Sequence, residues 1–455
     1  MQSREIRSRP LSRLVEEREM ILTRFLKTEG KAITRAAFDI ARAFHRGGTL
    51  LPFGTALDAA HVADAFRRPE IGRDVLPAQA PNWQLTGSSR LSAFAHIDDI
   101  ALGMTHATAS PAVDAFLAAA RHHGLLTLAF AGIRPVAAQT ADHEFFVPSE
   151  DPLVVQEVHE TTYRLLAELA HIFMEDPRRL DERCMRCGDR AFSALVLELS
   201  NGVATIERDG FIEEISVDLA EPDVAIGDVL LCHAGAALQR RWDQPTAGGA
   251  LLGMRTELSS FLYSEVNDLD AGLAAACAST VSKRAEVASV VRTIDLTGIE
   301  RCADAMRHRL ERGGRLITLG DRHSSAGARD AAADFLARRW PAAAVVTHFP
   351  TVRSGGPNVV LVLDSFVDRL RPLARSDDVV LAIFTSGSAS DLLAGLYEAH
   401  RRGALTCAIT DESGGSGAAL DWLDHRLLIP GESTAQVREA QTTICHLLLE
   451  MVGRP

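Results

Sequence analysis

The stretch DDIALGMTHATAS (98–110) has a second version far downstream, DDVVLAIFTSGSAS (377–390). Each is followed by a helix-period segment, then by a glycine and a short apolar run, HHGLLTLAF (122–130) or RRGALTCAI (401–409). Each copy opens with a helix leading into a strand that ends in glycine. Each closes with a long helix carrying Gln, Glu and His. This order, repeated over roughly 180–200 residues, is an internal duplication. A chain of 455 residues built this way divides into several domains around separate cores. Short buried strands alternating with helices imply parallel sheets covered on both faces.

Between the copies the texture changes. ALVLELSNGVATIERDGFIEEISVDL (194–219) runs in short segments around Asn-Gly and Asp-Gly, the signature of tight hairpins. GDVLLCHAG (227–235) follows as one more strand. The expected organisation is an α/β domain over 1–180, a small all-β domain over 181–250 and a second α/β domain over 255–455.

The composition, 47% apolar and 24% charged, is that of a globular chain. A formal charge of −12 argues against nucleic acid or a membrane surface as the partner. The first twenty residues are charged, unlike a signal peptide, and no apolar run is long enough to span a bilayer. A cytoplasmic location is expected. Seven cysteines, an odd number, then read as thiols or metal ligands before disulfides.

CMRCGDR (184–190) is the one paired-cysteine motif. A thioredoxin-like redox pair would need a βαβ frame, which the neighbouring sequence lacks. A structural zinc site needs about four ligands, and Cys184, Cys187, Cys232 and His233 are the available set. Cys232 and His233 are adjacent on one strand, so their side chains should point to opposite faces. Cys277, Cys302, Cys407 and Cys445 lie in helical or buried-strand contexts and are expected in cores.

The two flanking copies resemble the SIS (sugar isomerase) domain, in its phosphoheptose isomerase branch. GDRHSSAGARDAAADF (320–335) is similar to that family's first loop and helix, and FTSGSAS (384–390) to its serine-rich loop. The resemblance implies a sugar-phosphate site of Ser324, Thr385, Ser386, Gly387 and Ser388, built on a helix N-terminus. It implies Asp334 and His446, beside Glu439, as the acid–base pair of an isomerase. Arg322 and His323 replace two loop glycines, and Asp334 is one methylene shorter than the family's Glu. The first copy departs further. Asp58 and His61 come about three residues early, THATAS replaces the serine-rich loop, and Arg164 takes the place of the catalytic histidine. That copy reads as a scaffold, with His61, His106 and His159 as ordinary interior or interface histidines. Because SIS domains commonly dimerise, the resemblance implies an intrachain pseudo-dimer or a homo-oligomer.

The middle segment, from about Cys184 to Arg240, resembles the HypC/HupF family of [NiFe]-hydrogenase formation chaperones, small OB-like β-barrels. GDVLLCHAG with SVDL upstream carries the resemblance. In that family a cysteine and the histidine of the HAG motif hold an iron bearing cyanide and carbonyl, passed from a maturation scaffold protein to the hydrogenase large subunit. The resemblance implies Cys187, with Cys184 as an addition, and His233 as the iron ligands, zinc being the other possible metal. The expected fold is therefore α/β, two SIS-like parallel-sheet domains with an OB-like barrel between them. The expected function is hydrogenase maturation, with sugar-phosphate isomerisation or sensing as the alternative.

Overall fold

The computed structural model describes residues 10–67, 75–80, 91, 95–107, 110–133, 141–175, 180, 192–200, 202–208, 211–217, 224–233, 236–240, 277–282, 293–320, 324–346, 365–385, 390–412, 421–430 and 434–453. The chain divides into two compact units, Met1–Arg24 with Lys283–Pro455, and Phe25–Ser282.

Helix α1, Leu11–His45, starts in the first unit and ends in the second. In the Phe25–Ser282 unit it leads to β1 (Leu50–Phe53), α2 (Ala56–Arg67), β2 (Ile100–Met104), α3 (Pro111–His122), β3 (Leu126–Ala131), β4 (His143–Phe146) and α4 (Pro152–Met174). The four strands are parallel in the order β1-β2-β3-β4. β2 is buried along its whole length, which its unbroken apolar run requires of a strand covered on both faces.

The same unit contains β5 (Phe192–Ser200), β6 (Val203–Arg208), β7 (Phe211–Ser216), β8 (Val229–His233) and β9 (Ala236–Arg240), closed into a barrel in the order β5-β6-β7-β9-β8. β5 pairs with β6 up to Ser200 and Val203, and β6 with β7 up to Arg208 and Phe211, the antiparallel pairings that the sequence predicts. Ala194, Val196, Ala204, Ile206, Ile215, Leu230, Cys232 and Ala237 fill the barrel. Gly124, at φ +76°, allows the barrel to approach the α/β layer. A Cβ there would lie 2.4 Å from Val229 Cγ2.

The other unit holds α5 (Leu296–Glu311), β10 (Leu316–Gly320), α6 (Ser325–Ala337), β11 (Ala342–Val346), α7 (Phe366–Leu373), β12 (Val379–Ile383), α8 (Ser390–Arg401), β13 (Leu405–Asp411), β14 (His425–Ile429) and α9 (Thr434–Val452). Its parallel sheet runs β11-β10-β12-β13-β14. NVVLVL (358–363), an apolar run that reads as a further short buried strand, lies outside the described residues.

The two α/β frameworks match bond by bond. Leu50 N donates to Pro77 O and Leu316 N to Pro341 O. Leu126 N donates to Asp99 O and Leu405 N to Asp378 O. Thr127 N donates to Asp142 Oδ2 and Thr406 N to Asp424 Oδ2, both at 2.8 Å. Among the described residues, the counterpart of the β10–β11 pairing in the first copy is a parallel bridge, Leu50 to Ala78.

Candidate functional sites

Open parallel sheets take ligands beyond the carboxyl ends of their strands. In the C-terminal framework that edge is formed by Gly320, Ile383 and the residues after them. The turn from β10 into α6 is tight. A Cβ on Gly320 would lie 2.5 Å from Ser324 O and 2.7 Å from Ala328 Cβ, so glycine is required there. Thr318 Oγ1 donates to Ala328 O at 2.6 Å and fixes the helix on the strand. Ser324 is the N-cap residue of α6, but its side chain does not cap the helix. A helix N-terminus at the carboxyl edge of a parallel sheet is a general anion site. Thr385, two residues past β12, is 7% exposed at the same edge.

Asp334 on α6 and His446 on α9 approach each other, with Nε2 to Oδ2 at 3.4 Å. The histidine is buried and the aspartate side chain is 23% exposed. One turn earlier on α9, Gln441 Nε2 donates to Phe384 O at 2.7 Å and to Ile409 O at 3.3 Å. That pair of bonds fixes α9 against the carboxyl ends of β12 and β13. Glu439 is buried on the same helix. Ser386, Gly387, Ser388, Arg322 and His323 lie outside the described residues.

In the barrel, Cys232 is fully buried and directs its thiol to Leu230 O at 3.6 Å. It packs within the barrel core. His233 ends β8, and its backbone pairs with Ala236 of β9. Phe192, the first residue of β5, pairs with Cys232. Cys184 and Cys187 lie outside the described residues. Among the described residues no group of three or more His, Cys, Asp or Glu is arranged to hold a metal. Cys277, Cys302, Cys407 and Cys445 are buried, as expected. Cys302 Sγ is 3.5 Å from Cys407 Sγ.

The first copy contains an assembly that sequence reasoning dispersed. Asp58 and His106 bond at 3.0 Å, Oδ1 to Nε2, and the His106 and His159 rings are 5.4 Å apart. His159, one of the three histidines read as interior or interface residues, is fully buried. Its Nε2 donates to Ala131 O at 3.2 Å. Burial and the neighbouring His106 push its pKa down to about 3. Asp58, His106 and Ala131 follow or end three adjacent parallel strands. The signal was present in the sequence as the DAAH and THATAS segments, but their proximity depends on strand order. Arg164, at the lost histidine position, pairs with Glu160 one turn earlier at 2.8 Å.

Two family models match the chain. The SIS domain matches residues 342–451 and the HupF/HypC family matches residues 191–244. A phosphoheptose isomerase from Solidesulfovibrio magneticus is 32% identical over 169 residues, covering 34% of this chain and 76% of that protein. One from Roseiflexus sp. is 29% identical over 180 residues, covering 36% of this chain and 85% of its own length. Among solved structures, a candidate sugar-binding protein from Salmonella typhimurium LT2 aligns with 97% of this chain and 98% of its own, with a TM-score of 0.52 and 13% identity. A candidate phosphosugar isomerase from Clostridium difficile 630 aligns with 96% of this chain and 93% of its own, at 0.51 and 8%. At those identities the likeness is one of fold.

Proposed function

We propose, from the premise that this chain belongs to the SIS-domain family of the phosphoheptose isomerases and carries a HupF/HypC barrel inside it, that it is a [NiFe]-hydrogenase maturation factor. In this reading the barrel binds an iron bearing cyanide and carbonyl, or the hydrogenase large subunit that receives it. The C-terminal SIS domain binds a sugar phosphate or docks a partner.

The observation that carries the reading is the end of the barrel. Phe192 opposes Cys232, so β5 begins beside the strand that ends in His233. Cys187 precedes Phe192 by five residues, a reach of at most about 17 Å. In this reading a thiolate from the segment before β5 and the imidazole of the residue that ends β8 act together on the iron. Thiolate is a strong, soft donor to low-spin iron, and a small set of protein ligands leaves positions for the diatomics. Cys184 stands three residues further out as an additional thiolate. The iron is cargo in this scheme, arriving with its diatomic ligands and leaving for the client. The maturation scaffold protein and the hydrogenase large subunit are the expected partners.

Hydrogenase activity in cells carrying Cys187→Ala tests this. We expect maturation to be lost while the variant stays folded. Wild-type activity would refute iron handling by Cys187. Infrared spectra of protein purified anaerobically with the maturation proteins should show cyanide and carbonyl stretches that vanish in the variant. Stoichiometric zinc in their place would make the cysteines a structural site.

A second reading rests on the approach of Asp334 to His446. It makes the C-terminal copy a phosphosugar isomerase that moves a proton between adjacent carbons, with Ser324, Thr385 and Ser386–Ser388 on the phosphate. The missing loop glycines and the shortened acid argue against turnover, because general base catalysis depends on hydrogen-bond reach. We expect no isomerisation of a heptose phosphate. Turnover that disappears in His446→Ala would establish this second activity.

A further inference from the structure

Ile212 of β7 is the most exposed large apolar side chain among the described residues, at 70%. A single exposed isoleucine is ordinary, so its neighbours decide what it means. Strand pairing places Val229, Leu195, Glu207 and Ile212 side by side across β8, β5, β6 and β7. Directly paired residues of antiparallel strands carry their side chains on one face. Ala194, Val196, Ala204 and Ile206 fill the barrel, so this row lies on its outer face.

The row begins in an interface. Val229 is 3% exposed, and its Cγ2 lies against Gly124 just past α3. Leu195 is half-buried, and Glu207 and Ile212 are exposed. The barrel therefore uses one end of the row to pack on the α/β layer of its own unit and presents the other end to solvent.

The exposed end is acidic. A register shift between Val196 and Glu198 puts Glu198 opposite Thr205, which in turn faces Glu214. Glu198, Glu207 and Glu214 thus share the outer face, and all three are exposed. Carboxylates crowded on one sheet face repel one another, and cations brought by a partner relieve that repulsion. Phosphate esters and anionic lipid are repelled by the same charges. An isoleucine ringed by carboxylates complements a protein segment that sets lysine or arginine around an aliphatic side chain.

The face also adjoins the rim assigned to the iron. β5 starts, β6 ends, β7 starts and β8 ends at one rim, because each of these pairs is antiparallel. Glu207 is one residue from that rim on β6, and Ile212 is one residue from it on β7. At the same rim β8 ends in His233, and the segment from Cys187 enters β5. A protein seated on the exposed face borders that rim.

We propose that the outer face of β5, β6 and β7 is the docking surface for the hydrogenase large subunit, with an aliphatic side chain of that partner on Ile212 and its basic side chains on Glu198, Glu207 and Glu214. The assignment rests on the maturation reading and gives the receiver of the iron its place on the barrel.

The test measures binding of the purified full chain to purified large subunit that has not received its metal, by surface plasmon resonance at low and high salt. We expect the wild type to bind, with association slowed by salt. Ile212→Ser should weaken binding about tenfold or more, and an exposed position tolerates serine without loss of fold. Changing Glu198, Glu207 and Glu214 together to Gln should slow association and remove most of its salt dependence. Met20→Ser, an equally exposed position on α1 (63%), should bind as the wild type does, and so should Cys187→Ala. No binding by the wild type would overturn this docking and the maturation reading together. Wild-type binding left unchanged by Ile212→Ser and by the triple Gln variant would overturn the docking face alone. Equal loss in Met20→Ser would reduce the contact to unspecific apolar adhesion. Loss in Cys187→Ala with Ile212→Ser unaffected would move the contact to the cysteine segment. Either of these last results also overturns the face.

Discussion

Asp99 and Asp378 hold equivalent corners of the two sheets, and one neighbour makes them behave in opposite ways. Asp378 accepts from Arg315 N at 3.0 Å, from Arg315 Nη2 at 2.7 Å and from Arg375 N at 3.0 Å. Burial would raise its pKa, but the arginine bonds outweigh it and the pKa is lowered. Asp99 accepts from the backbone amides of Thr49 and His96; there burial wins and its pKa is raised. The linkage signs follow. Asp378 contributes stability that is present above its unfolded value and lost as pH falls through its lowered folded value. Asp99 contributes stability that is present at low pH and lost as pH rises through its raised value. Asp378→Asn should therefore cost about 2 kcal/mol near neutrality, shrinking toward acid. Asp99→Asn should cost less. Urea unfolding at several pH values separates the two. His159 adds a third slope. Its folded pKa of about 3 is below that of a free imidazole, so the unfolded state binds the extra proton. Stability of the Phe25–Ser282 unit should fall as pH drops below about 6.5, and His159→Gln should flatten that fall.

The elements repeat because their backbone approaches repeat. Gly48 and Gly314 each precede the first strand of a sheet. A Cβ would lie 2.0 Å from Asp98 O at Gly48 and 1.9 Å from Asp377 O at Gly314. Alanine at either position should cost about 1–3 kcal/mol through forced backbone shifts. Gly327 is the contrast, because nothing lies within 4 Å of its would-be Cβ. Alanine there, inside α6, should be neutral or stabilising by up to about 1 kcal/mol. Equal losses at all three positions in denaturant titrations would contradict this packing. These approaches also explain what sequence alone revealed. β2, β3, β12 and β13 are apolar runs behind glycines or acidic pairs, and periodicity finds them. HEFF at β4 and HRLLI at β14 are edge strands mixing charged and apolar residues, and period analysis passes over them. The barrel hairpins were legible from Asn-Gly and Asp-Gly. The Asp58–His106–His159 cluster was not, because its members come from three chain segments joined only by strand order.

At the scale of the whole molecule, the N-terminal segment belongs with the far end of the chain. Leu11, Leu14 and Val15 are buried, and residues 1–24 form one unit with 283–455. Arg18 pairs with Glu450 of α9, and both side chains are 7% exposed. Arg307 of α5 donates to Met451 O at 2.5 Å, tying a second helix to the same end of α9. The helix carrying His446 is thus anchored by a segment more than four hundred residues away in sequence. Removing the arginine would leave Glu450 buried without its cation, a loss of about 3 kcal/mol or more. Hydrogen exchange on Arg18→Ala should therefore show faster exchange in 434–452 and 296–311. Residues 50–174, in the other unit, should keep their protection. Uniform loss across both units would mean that the chain unfolds as one cooperative body. Loss confined to residues 11–45 would mean that the N-terminal segment is an appendage that α9 does not need. If the expected pattern holds, His446 and Asp334 are brought together only once both chain ends are made. Truncation before Phe25 would then abolish the C-terminal site without touching any residue in it.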